Sequence, residues 1–196
     1  MLKSKQQITM KKRRRIFIAI NLPEDIKCEL ERCQKEINWA KWTTKDNLHI
    51  TLEFLGYLTA QELGEVCMIA KEVAKRRKPF SINLNKIVYG PPEKLPPRMI
   101  WAIGEKSKEL AELKQDLQKH LSDNGSEPRN LSPHITLARI NEWEWKKIEP
   151  EERPEISEEL DLVFTVESIE VMESELKRGG PQYAILESHI LSNFNG

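Results

Sequence analysis

The chain predicts an α+β fold of two similar lobes, with two antiparallel sheets facing each other across a central cleft and helices on the outside. Three observations predict it. Apolar period two alternates along the chain with period 3.6, the marks of strands and amphipathic helices. The alternation runs in two passes, each of them strand, helix, strand. The later strand of each pass carries the same tetrapeptide, His49-Ile50-Thr51-Leu52 and His134-Ile135-Thr136-Leu137, 85 residues apart in a chain of 196. A spacing close to half the chain is what duplication of one unit produces, and the length suits one domain.

In order, residues 15–20 read as a first strand. Pro23 opens a helix over residues 24–38, with Glu24 and Asp25 in the first turn, where the macrodipole favours acids. Ile26, Leu30, Cys33 and Ile37 form its apolar stripe. Residues 48–55 form the first motif strand, ended by Gly56. Thr59 and Glu62 make a capping box that opens a helix to about residue 76. Residues 80–88 alternate as a strand with an irregularity near Lys86. The proline-rich stretch 90–97 is a stiff loop. Residues 99–103 resume as a strand, and Ser107 caps a third helix with the stripe Leu110, Leu113, Leu117 and Leu121, stopped by Asn124-Gly125. The second motif strand covers residues 134–140. Residues 141–158, charged and carrying Trp143 and Trp145, read as an irregular excursion. Residues 160–172 form a strand region, Gly179-Gly180-Pro181 a turn, and residues 183–187 a last strand.

Seven of the first fifteen residues are Lys or Arg and none is acidic, whereas the rest of the chain holds 24 basic and 31 acidic residues. Residues 1–14 therefore read as a flexible basic leader, and residues 15–196 as a single bilobal domain. The alternative for the leader is nonspecific phosphate contact. The three cysteines, odd in number and without CxxC spacing, suggest neither a disulfide framework nor a zinc site. No apolar run approaches the roughly 18 residues of a membrane span, so no membrane partner is expected and a cytoplasmic protein is.

The motif itself carries chemistry. In a strand, residues i and i+2 share a face, so each copy sets an imidazole beside a hydroxyl and turns Ile and Leu inward. Two copies on one cleft supply His49 and His134 as general acid and general base, and Thr51 and Thr136 as donors to an anion. A strand histidine is more often structural than catalytic, but these are two of only four histidines, and both head the same four letters. The other two, His120 and His189, are assigned no catalytic role. No His-Glu-x-x-His, cysteine cluster or dense Asp motif is present, so neither a metal nor a cofactor is expected. Arg98, beside the proline loop, is a candidate phosphate contact or an ordinary solvated strand end.

An ordered set of stretches runs from Arg15 almost to the end: RIFIAINLP at 15–23, NLHITLEFLG at 47–56, PRMIWA at 97–102, PHITLAR at 133–139, VMESEL at 171–176 and GPQY at 180–183. In these the chain resembles the two-histidine phosphoesterase superfamily, in particular the RNA 2′,3′-cyclic phosphodiesterases once called 2′-5′ RNA ligases. The resemblance implies a bilobal fold with the active site between the lobes. It implies metal-independent hydrolysis of a terminal 2′,3′-cyclic phosphate on RNA to a 2′-phosphomonoester, with His49 as proton donor and His134 as proton acceptor. RNA ends or nucleoside 2′,3′-cyclic phosphates would be the partners, met by a monomer. It also implies that Arg139 touches substrate and that Phe54 helps hold a base. Both lie five residues beyond their histidine, so a regular strand would turn them away from the cleft, and a bulge or bend is required. Tyr183 reads as a core residue that could also line the cleft. Two alternatives stay open: end joining through a 2′-5′ bond or opening of another cyclic nucleotide, and a non-catalytic RNA- or nucleotide-binding module.

Overall fold

The first strand, β1 (Arg14–Asn21), alternates cleanly: Ile16, Ile18 and Ile20 are buried in the main core, while Phe17 and Ala19 pack on the opposite face. This computed structural model describes residues 13–34, 37–121 and 132–192. The leader expected over 1–14 lies outside the described residues up to residue 12, as does the stop expected at Asn124-Gly125.

Helix α1 (Glu24–Arg32) ends at Cys33, short of the expected residue 38. The apolar stripe still packs, because Cys33 and Ile37 touch the core as partly buried residues. The chain cannot stay helical there because the next residues join the sheet. Strand β2 (Ala40–Trp42), which the sequence reading missed, pairs with a later strand, and the backbone amide of Asn141 donates to the Trp39 carbonyl (2.8 Å). A single 3₁₀ turn at Lys45–Asn47 then leads into β3 (His49–Leu58). Gly56 does not end this strand as expected. It adopts φ +75°, and the ladder takes up one extra residue beside it, since Ile16 pairs with Gly56 and Phe17 with Phe54. Nothing lies within 4 Å of a Cβ built there. Gly56→Ala should therefore pay backbone strain alone, about 1–2 kcal/mol, read as a thermal midpoint lower by about 2–8 °C.

Helix α2 (Ala60–Lys75) opens on the expected capping box: the Glu62 carboxylate accepts from the Thr59 amide at 2.7 Å, and Thr59 Oγ1 accepts from the Glu62 amide at 3.4 Å. Then come β4 (Phe80–Gly90), with a register shift between Leu84 and Lys86, and β5 (Met99–Gly104). Helix α3 (Lys108–Leu121) starts where Ser107 Oγ accepts from the Leu110 amide. Strand β6 (His134–Ile140) carries the second motif. The excursion after it contains a short helix, α4 (Glu142–Lys146), whose Trp145 is buried against Trp39 and Tyr89. The single strand region expected at 160–172 is two strands, β7 (Ser157–Val166) and β8 (Ser168–Lys177). Only Glu167 separates them, with no Gly or Pro to mark the break. The last strand, β9 (Gly180–Ile190), is longer than expected at both ends and includes His189.

All strand pairs are antiparallel, and the order is β7-β4-β5-β6-β3-β1-β8-β9, with β2 on β6. The order has an internal two-fold relation. The motif strands β6 and β3 meet at the centre, β5 and β1 flank them as the opening strands of the two passes, and β4 and β8 lie outside those. The halves touch at one bridge, Ile50 opposite Ile135, the same position in each motif. The expected two sheets are thus two antiparallel halves of a curled sheet, with the cleft at their seam. Among the described residues no helix is long and apolar enough to cross a membrane.

Candidate active site

The Ile50–Ile135 bridge sets the geometry of the site. Both isoleucines are buried in the core. Side chains alternate along a strand, so the residues on either side of each isoleucine, His49 and Thr51, His134 and Thr136, all emerge on the other face, at the seam. The four side chains are half-buried. Beyond this bridge the two strands take different neighbours, β1 on β3 and β2 and β5 on β6.

Each imidazole is oriented by the backbone two residues before it. His49 Nδ1 lies 2.7 Å from the Asn47 carbonyl. A carbonyl only accepts, so Nδ1 carries the hydrogen and Nε2 is left for the cleft, where it meets Thr51 Oγ1 at 2.9 Å. His134 makes the corresponding bond to the backbone of Ser132. Among the described residues Thr136 Oγ1 meets Met99 Sδ at 3.8 Å, a weak contact that lets the hydroxyl turn to a ligand.

Both motif strands bulge at the same residue. Ala19 pairs with Thr51 and Ile18 with Glu53, so Leu52 is the extra residue in β3. Trp101 pairs with Thr136 and Ile100 with Ala138, so Leu137 is the extra residue in β6. A one-residue bulge reverses side-chain parity beyond it. Phe54 and Arg139 are thereby returned to the face of the histidines. The Phe54 ring, 68% exposed, lies 6.1 Å from Phe17, whose ring lies 5.1 Å from His49. Arg139 is exposed, and its charge acts on His49. Arg98 is exposed ahead of β5, and its charge acts on Glu142 at the start of α4.

Burial is the largest influence on both imidazoles and holds each below the ordinary value near 6.5. For His49 the charges of His134, Lys27 and Arg139 push the same way, against the Asn47 bond. For His134 the charge of Lys114 does so, against the Ser132 bond. Burial and the nearby cations thus both favour the neutral imidazoles, and the cationic surroundings suit an anion.

Several of these residues escaped the sequence reading. Phe17, Asn47 and Trp101 lie in the family-like stretches without being singled out there, and Lys27 and Lys114 are brought in by helix placement. The Asn47 side chain donates to the Pro181 carbonyl (2.7 Å) and accepts from the Tyr183 amide (3.2 Å), which fastens β9 beside the motif. Tyr183 is consequently a cleft residue, its ring edge-on to His49 at 5.2 Å and 89°. His120 bonds the Asp116 carbonyl at an exposed helix end, and His189 sits near Glu187 on β9. Among the described residues no group of three or more His, Cys, Asp or Glu is arranged to hold a metal ion.

Comparison with known proteins agrees with this geometry. The family model of LigT-like phosphoesterases matches two consecutive stretches, residues 20–101 and 103–183, each holding one motif. An RNA 2′,3′-cyclic phosphodiesterase of Thermotoga maritima is 30% identical, over 88% of this chain and 92% of its own. One of Methanocaldococcus jannaschii is 30% identical, over 88% of this chain and 98% of its own. Among solved structures, a Thermus thermophilus protein superposes with a TM-score of 0.76 at 28% identity, over 92% of this chain and all of its own. Escherichia coli LigT in its apo form shares the fold, with a TM-score of 0.73 at 24% identity over 92% of this chain and 99% of its own. With two matched stretches that span both lobes, the chain belongs to the LigT-like phosphoesterase family.

Proposed function

We propose that the protein hydrolyses the terminal 2′,3′-cyclic phosphate of RNA, or of a nucleoside 2′,3′-cyclic phosphate, to a 2′-phosphomonoester, as a monomer and without a metal. The observation that carries this reading is the Ile50–Ile135 bridge, which puts both His-x-Thr pairs of one chain around one cleft. Opening the ring needs a base for the attacking water, an acid for the departing 3′-oxygen and donors for the non-bridging oxygens. In this reading His134 takes the proton from water and His49 gives one to the 3′-oxygen. Thr51, Thr136 and Arg139 hold the non-bridging oxygens, and Phe54 packs against the base. The names of the two relatives support the substrate class.

The test is turnover of a nucleoside 2′,3′-cyclic phosphate with EDTA present, with the product identified by phosphorus NMR. Release of the 2′-phosphomonoester at an undiminished rate is expected. A strict need for added Mg²⁺ or Mn²⁺ would refute the mechanism. Tight binding without turnover would instead make the protein a nucleotide-binding module, and accumulation of 2′-5′ joined ends would favour the reverse reaction.

The pH profile follows from the same electrostatics. One imidazole must be neutral and the other protonated, so kcat/KM should be bell-shaped. Both imidazoles titrate below 6.5 in the free protein, so its maximum should lie on the acid side of that value. A bound phosphodiester anion favours the charged form of both, which moves the kcat profile to higher pH than that of kcat/KM. Coincident profiles centred above pH 7.5 would contradict this account.

A further inference from the structure

The two motifs are identical, and so are their bulges, yet the residues facing them differ. Opposite Thr51 on β1 is Ala19, and opposite Thr136 on β5, at the equivalent position, is Trp101. The Trp101 ring stacks on His134, with centroids 4.3 Å apart and planes at 29°. Among the described residues His49 has no such stack: Phe17 is tilted at 43° and Tyr183 meets it edge-on. The indole also lies close against the backbone of Gly90. A Cβ built on Gly90, at the end of β4, would overlap Cδ2, Cε3 and Cε2 of Trp101, so only glycine leaves the slot. The indole N–H donates to Met99 Sδ (3.3 Å), which fixes the ring about its own axis. Gly90, Trp101 and His134 thus form a stack with one rigid backbone end.

We propose that Trp101 is a positioning residue for His134: its indole, seated on Gly90, holds the imidazole plane and stabilises the positive charge that ring gains on taking a proton from water. The proposal rests on the reading of His134 as the base. A π face within about 6 Å of a cation is attractive, and more so away from water. The gain appears only as the imidazole becomes charged, so it favours the transition state over the resting site. Lys114 of α3 and the His49 imidazole of β3 also face His134, and both oppose its charging. The Ser132 backbone bond favours it, and Trp101 adds an aromatic face to that support. Two identical motifs would in this way acquire different roles from a residue that neither contains.

The experiment follows the His134 imidazole by proton NMR during a pH titration, its signal identified by its loss in His134→Gln. In Trp101→Leu the signal should move downfield as ring-current shielding is lost. Its midpoint should fall by about half a pH unit, the worth of an exposed cation–π contact. Turnover should lose about 10- to 100-fold in kcat, the cost of a loosened catalytic group, with KM nearly unchanged, and Trp101→Phe should restore most of it. Gly90→Ala should reproduce the Trp101→Leu phenotype and add nothing further in the Trp101→Leu background. An unchanged His134 signal and midpoint in Trp101→Leu, with a native circular dichroism spectrum, would overturn the proposal. So would an equal cost of Gly90→Ala in both backgrounds. If Trp101→Leu does not fold, an unshifted His134 signal in Gly90→Ala decides against it in the same way. If the wild-type protein opens no cyclic phosphate, the proposed function fails while the NMR arm still decides the stack.

Discussion

His49→Ala and His134→Ala are each expected to lower turnover of a nucleoside 2′,3′-cyclic phosphate by about 10²–10⁴-fold, the usual worth of one positioned acid or base. The two act on the same displacement, one on the entering and one on the leaving oxygen, so the double variant should lose less than the product of the single losses. Thr51→Ala and Thr136→Ala should cost less, because a neutral hydroxyl is one of several donors to the phosphate. A substrate whose leaving oxygen departs without protonation separates the roles. His49→Ala should regain most of its rate on that substrate, and His134→Ala should not. Rescue of His134→Ala alone would exchange the two assignments and keep the mechanism. Near-normal turnover in both single variants would make the doubled motif structural, since both imidazoles could then serve only to cap the Asn47 and Ser132 carbonyls.

Arg139→Ala should cost about 10²–10³-fold in kcat/KM, the scale seen when one charge-stabilising donor is removed from a preorganised site. Leu137 is the reason for this expectation: as the extra residue of β6 it turns Arg139 back to the histidine face. Arg139→Lys should recover part of the loss, because an ammonium keeps the charge but not the planar two-pronged grip on phosphate oxygens. Arg139 also holds the His49 imidazole down, so its removal should move the His49 limb of the kcat/KM profile to higher pH. Arg98→Ala, beside Glu142, is the matched control and should change kcat/KM by less than about threefold. An Arg139→Ala loss no larger than that of Arg98→Ala would remove Arg139 from the site and leave the bulge as a feature of strand packing alone.

Much of this was legible in the residues. Alternation marked β1 and β4, the Thr59–Glu62 box marked the start of α2, and the repeated tetrapeptide marked both motif strands. What escaped was decided by contacts between distant segments. Strand β2 is three residues long and exists because β6 offers it an edge. The apolar stripe through Ile37 looked like more helix, because a stripe reports burial and not backbone geometry. Strands β7 and β8 ran together because neither Gly nor Pro parts them, yet they pair with opposite halves of the sheet. The resemblance called for a bulge or bend in each motif strand, but its place at Leu52 and Leu137 is not legible in the residues. Each is an ordinary strand leucine, and the bulge lies in the count of residues facing it on the partner strand.

By itself, the sequence determined the chemistry available: two imidazoles and two hydroxyls at strand spacing, in two copies, with apolar residues behind them. It could not distinguish the copies, because identical tetrapeptides have identical local chemistry. The tertiary structure made that distinction through what each copy faces. Two residues beyond the bulge, β3 presents Phe54 and β6 presents Arg139, and across the ladder from the threonines β1 presents Ala19 and β5 presents Trp101. A proton-transfer role depends on the charge, burial and orientation around an imidazole, and in this fold those come from strands and helices far away in the chain.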